Sequence, residues 1–102
     1  MKILAISKEL QAVDWDSLRD ILKEEALTLH NLYLADQVRE FYFTDEGDAV
    51  VILECGSSEE ARGILQKLPL VNHGLIRFEV MELTPYTGFC RLFSFQNTNS
   101  DL

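Results

Sequence analysis

A glutamate stands inside the apolar stripe of what reads as a long amphipathic helix. In the stretch ILKEEALTLHNL, residues 21–32, a helical step of about 100° per residue stacks Leu18, Leu22, Leu29 and Tyr33 along one side. Glu25 falls within that stripe, flanked by Ile21 and Leu32, whereas Glu24 points to the opposite side and into water. A carboxylate held under a sheet has its charged form disfavoured by desolvation. That lifts its pKa toward values useful to a general base, unless a cation answers it. Two readings stand side by side: Glu25 faces a pocket as the base of a proton transfer, or it hydrogen-bonds a tyrosine or backbone group and only sets the helix register.

Few other residues offer chemistry. Arg39, if it approaches the helix side of its strand near Glu25, is the candidate to hold a ligand carboxylate. Arg77 and Glu79 share one face of the last strand; an ion pair between facing sheets suits them better than anion binding, although Arg77 stays a candidate ligand contact. Tyr33 and Tyr42 are candidates of the same kind, set against the commoner role of core or interface aromatics with a bonded hydroxyl. His30 lies at the boundary of the helix stripe and His73 precedes Gly74 at a strand entrance. Neither has a partner at ligand spacing, so no metal and no cofactor is expected. Cys55 and Cys90 occur in unrelated contexts and read as reduced thiols.

The rest of the chain must position these groups. At 102 residues it is one domain by size, with a modest core. A net charge of −8 argues against a nucleic-acid binder, which wants a basic stripe, and against adsorption to anionic membranes. The opening MKILAISKELQ is too short and too soon charged for a signal peptide, and no apolar run approaches a membrane span. A cytoplasmic protein is expected.

Residues 2–7, KILAIS, read as a strand buried on both faces. Asp14 or Asp16 is the N-cap candidate of the first helix, which runs to about Ala35. VREFYFT (38–44) and AVVILEC (49–55) form a hairpin across the turn DEGD, where Gly47 can take positive φ. A second helix follows, capped by Ser57 or Ser58 and stopped by Pro69. GLIRFEVMEL (74–83) is the last long strand. The order is β-α-β-β-α-β: an α+β, ferredoxin-like fold with a four-stranded antiparallel sheet and two helices on one face. Residues 1–90 make the domain, and 91–102 a tail that is apolar at first and then polar and frayed.

Such a sheet leaves one face uncovered, and alternation should make that face polar. Instead the first strand sets Ile3 and Ala5 against Leu4 and Ile6, and the third sets Ala49, Val51 and Leu53 against Val50 and Ile52. In the hairpin strand Phe41 and Phe43 oppose Val38, Glu40 and Tyr42. Two sheets packed face to face satisfy this pattern, so an obligate dimer is expected, with the tail YTGFCRLFSF packed on the partner or closing the barrel edge.

The stretch LQKLPLVNHGLIRFEVMEL (65–83) resembles the second helix, Leu-Pro-Leu turn and last strand of muconolactone isomerase. VREFYF and GDAVVILEC stand at consistent spacing, and the resemblance covers roughly residues 1–90. It implies the muconolactone-isomerase-like branch of the dimeric α/β-barrel superfamily, built from homodimers that in the true isomerases assemble into a decamer. It also implies a cofactor-free isomerase moving a proton within a small anionic or lactone ligand. That chemistry needs a base near an acidic C–H and a donor or cation for the dienolate. Aligned back from Leu68-Pro69-Leu70 without gaps, Glu25 lies on an acidic residue of the isomerase's first helix. The chain departs from the isomerase at Asp36-Gln37, where a glycine-containing turn is expected, and at Ala26, where the helix acid has a basic neighbour. The alternative is a non-catalytic, oligomeric small-ligand-binding or stress-associated protein of the same fold.

Overall fold

The computed structural model describes residues 1–93. Strand β1 (Lys2–Glu9) leads through a short 3-10 turn, Trp15–Leu18, into helix α1 (Arg19–Leu34). The hairpin β2 (Val38–Phe43) and β3 (Ala49–Glu54) precedes helix α2 (Ser58–Leu65), the one-turn helix α3 (Pro69–Asn72) and strand β4 (Ile76–Leu83). A second 3-10 turn spans Gly88–Leu92. The four strands form one antiparallel sheet in the order β2-β3-β1-β4. This is the α+β, ferredoxin-like fold, with α1 and α2 on one face.

Local chemistry explains the boundaries. Asp14 caps the 3-10 turn and not α1 itself: its carboxylate accepts the Asp16 N–H at 3.2 Å, whereas α1 follows directly on that turn, with Leu18 before its first residue and no side-chain cap. Ser57 caps α2 by accepting the Glu60 N–H at 3.1 Å, and Glu60 reaches back to the Gly56 N–H at 3.0 Å, a shifted form of the reciprocal Ser-x-x-Glu box. The chain leaves α1 with Asp36 at φ 63°. That is a left-handed residue where glycine is the unstrained choice, and aspartate is among the few others that tolerate it.

Three expectations are corrected. The segment after Pro69 is not simply a turn. With its φ fixed and no N–H to satisfy, Pro69 starts the helix α3. Gly74 (φ 71°) ends it in a Schellman motif, with Leu75 N–H on Leu70 O and Gly74 N–H on Val71 O, both at 3.0 Å. Strand β4 therefore begins at Ile76 rather than 74. Strand β1 runs on to Glu9 because the long edge strand β4 keeps pairing with it, through Lys8↔Arg77 and Glu9↔Ile76. Val38 faces the core, not the outer side with Glu40 and Tyr42. A bulge between Val38 and Glu40 shifts the register, so Val38 pairs with Leu53 while Glu40 pairs with Ile52; one extra residue reverses the side a side chain takes.

Ile3, Ala5, Leu32, Val38, Val51 and Leu53 pack with Ala61, Ile64, Leu65 and Leu68 into the core under α1 and α2. The outer sheet face carries Leu4, Ile6, Val50 and Ile52, all half-buried, with exposed Tyr42, Met81 and Leu83 around them. The apolar residues Tyr86, Phe89, Leu92 and Phe93 are exposed, and Tyr86 meets Phe89 edge to face at 5.0 Å. The remainder of the tail, 94–102, lies outside the described residues. Among those described, no helix is long and apolar enough to cross a membrane.

Candidate functional site

The helix–sheet layer is packed at one end and hollow at the other. At the Leu32–Val38–Leu53 end, large side chains and α2 fill it. At the other end Ser7, Ala26, Gly47 and Ala49 line a cavity of about 420 Å³, within the range usual for small-ligand sites (~300–1,000 Å³). The small side chains leave the room. Leu22 and Leu29 of α1, Phe43, Phe78 and Ile76 of the sheet, and Trp15 supply apolar walls.

Glu25 stands on the helix wall of this cavity. Its Oε1 accepts the Leu70 N–H at 2.9 Å. The reason lies in α3: Leu68 at its N-cap has no side-chain hydrogen bond to give, and Pro69 has no N–H. Leu70 therefore carries the first amide in need of an acceptor, and Glu25 reaches across from α1 to provide it. Glu25 thus both lines a pocket and is bonded to a backbone amide. Burial pushes its carboxyl above the ordinary glutamate value, with the Leu70 N–H pulling the other way. Glu24 is exposed.

The polar remainder of the lining is acidic or neutral. Glu9 and Asp48 join Glu25, Ser7 adds a hydroxyl, and no lysine or arginine lines the space. Asp48 is in contact with a cation, Lys8 Nζ at 3.5 Å.

Of the candidate site residues Glu25, Arg39, Tyr33, Tyr42 and Arg77, Glu25 alone lines the cavity. Arg39 does not approach it: it is exposed in the β2 bulge, and its charge acts on Glu54 at the far end of β3. Tyr33 turns out of the buried stripe, 47 % exposed, and stacks edge-on against Phe41 at 5.7 Å. On the outer sheet face Tyr42 donates to Glu40 Oε1 at 2.8 Å, which holds the phenol proton on. Arg77 meets Glu79 of its own strand at 3.4 Å, both exposed. Ser7, Trp15, Phe43, Asp48 and Phe78 were missed. Only Ser7 left a trace in the sequence, as a hydroxyl at the third helix-facing position of an otherwise apolar strand. Among the described residues no group of three or more His, Cys, Asp or Glu is placed to hold a metal ion.

A solved structure of the 5-chloro-2-hydroxyhydroquinone dehydrochlorinase TftG from Burkholderia phenoliruptrix AC1100, in complex with 2,5-dihydroxybenzoquinone, has the same fold. It superposes with a TM-score of 0.65 at 16% identity, over 86% of this chain and 98% of that one. The likeness establishes the fold and nothing narrower. No protein-family model matches the chain, and no curated protein matches it in sequence.

Proposed function

We propose that this protein is a cofactor-free acid–base catalyst acting on a small cyclic carbonyl compound, such as a lactone, with Glu25 as the base. The observation that carries the reading is the apolar cavity with a desolvated carboxylate on its wall. A base is effective when its pKa is drawn toward the working pH, and burial does this for Glu25. The lining carries three carboxylates, of which only Asp48 meets a cation, and no lysine or arginine of its own, which favours an uncharged ring over an anion. That narrows the ligand suggested by the isomerase resemblance to its lactone side. The solved neighbour of the same fold, complexed with a six-membered quinone ring, is compatible with a ligand of that size.

The reading includes a homodimer, in which the outer sheet faces of two copies bury Leu4, Ile6, Val50 and Ile52 against each other. The bond from Leu70 N–H to Glu25 favours a second reading, a non-catalytic small-ligand-binding protein in which Glu25 is structural.

One experiment separates them. The protein is mixed with α-angelica lactone, an enol lactone with an acidic C–H, in deuterium oxide. Deuterium wash-in is followed by proton NMR. Wild-type protein should accelerate exchange, and Glu25→Gln should lower the rate about 10²–10⁴-fold. Exchange that is unchanged in Glu25→Gln rejects Glu25 as base; binding without exchange selects the second reading.

A further inference from the structure

Ser7 is the one buried polar residue of the described chain, 6 % exposed, and it lies on the sheet floor of the cavity. Along β1 the helix-facing positions are Ile3, Ala5 and Ser7, the first two completely buried. A hydroxyl therefore stands where packing asks for a third apolar side chain. Its Oγ accepts the Ala49 N–H at 2.8 Å, one step beyond the last β1–β3 register pair, Ile6↔Val50. That use needs a lone pair and leaves the hydroxyl proton over. Among the described residues the proton has no acceptor. A buried donor is costly to leave unmade, and the open space beside this one is the cavity.

We propose that Ser7 donates its hydroxyl hydrogen to the carbonyl oxygen of the bound ring, from the sheet floor facing Glu25 on the helix wall. The proposal rests on the proton-transfer reading of the site and adds its second half. The Glu25 carboxylate takes a proton from a carbon next to the carbonyl. The electron pair of the broken C–H bond moves onto the carbonyl oxygen, giving an enolate that Ser7 holds by hydrogen bond while keeping its own proton. The carboxylic acid of Glu25 then returns the proton to another carbon of the conjugated system, so a double bond shifts and nothing is oxidised or reduced. The Ala49 N–H donated into Oγ polarises the hydroxyl and makes it a better donor. The hydrogen bond strengthens as negative charge develops, which is the condition for lowering the barrier rather than merely binding.

A purely structural Ser7 would only terminate the β1–β3 ladder, and the test includes a readout that this role does not move. The carbonyl stretch of bound α-angelica lactone is recorded by infrared difference spectroscopy in wild type, Ser7→Ala, Ser7→Thr and Glu25→Gln, alongside deuterium exchange. Ser7→Cys replaces the alanine variant if that one does not fold. The expected result is a carbonyl band lowered in wild type, Ser7→Thr and Glu25→Gln. In Ser7→Ala the band should return toward its free position, with kcat for exchange reduced about 10²–10³-fold and KM little changed. A folded Ser7→Ala protein with the wild-type band position and kcat overturns the Ser7 assignment and leaves Glu25 standing. A Ser7-dependent band without Glu25-dependent exchange upholds the donor and rejects the base. A wild-type protein with neither signal overturns both.

Discussion

Replacing Glu25 in two ways separates what its charge costs from what its oxygen contributes. Glu25→Gln keeps an acceptor for the Leu70 N–H and removes the charge; Glu25→Ala removes both. Burial raises the Glu25 pKa in the fold above the ordinary value of 4.5, so between the two values the folded chain binds a proton that the unfolded chain has released. The stability this contributes is complete below the unfolded value and is lost as pH rises through the folded one. Wild type should therefore lose ground to Glu25→Gln as pH rises and be overtaken or matched by neutral pH.

Glu25→Ala behaves differently. Leu70 is 8 % exposed, and a buried amide left without an acceptor costs about 1–3 kcal/mol. With a urea slope of about 1 kcal/mol/M for a chain of this size, its midpoint should fall roughly 1–3 M below that of Glu25→Gln at every pH. Urea titrations from about pH 4 to pH 8, at matched protein concentration, would follow far-UV circular dichroism and the fluorescence of Trp15, the only tryptophan. If wild type and Glu25→Gln run parallel across that range, the carboxylate is not desolvated. Should Glu25→Ala match Glu25→Gln throughout, the Leu70 bond contributes nothing and the account of α3 is wrong.

The left-handed Asp36 offers a simpler test. Asp36→Gly should stabilise the protein by about 0.5–1 kcal/mol, since glycine reaches φ 63° without steric cost. That is roughly 2–8 °C in Tm, and a fall in Tm would show that the aspartate side chain matters more than its backbone strain. On the outer sheet face, Ile52 sits beside Leu4 and Glu40. Ile52→Glu should convert the proposed dimer to a monomer in sedimentation velocity while circular dichroism stays unchanged, and a wild-type protein that sediments as a monomer would reject that dimer. A dimer that survives the change would place the interface elsewhere.

Much of the fold was legible because it rests on short-range rules. Period-two and period-3.6 alternation gave the strand and helix order, and caps at Asp14 and Ser57 and the stop at Pro69 follow from local hydrogen-bonding needs. Val38 was misplaced because a bulge is invisible to alternation: nothing in VREFYF marks which residue is the extra one. Tyr33 shared the helical phase of Leu22 and Leu29, yet it lies in the last turn of α1, half exposed, against Phe41 of the edge strand β2.

For the site, helical phase alone placed Glu25 on the inward face, since phase is a property of a single element. It could not say what Glu25 faces. The cavity arises where residues from β1, the Trp15 turn, α1, β2, the hairpin turn, β3, α3 and β4 meet, and its volume depends on small residues from separate segments falling at one end of the layer. The partner of Glu25 is likewise 45 residues away in sequence, an amide exposed to it only because Pro69 starts a helix there. Local periodicity decides which way a side chain points. What it meets is set by packing between distant segments, and for this protein that difference separates a glutamate on a buried stripe from a glutamate at the wall of a cavity.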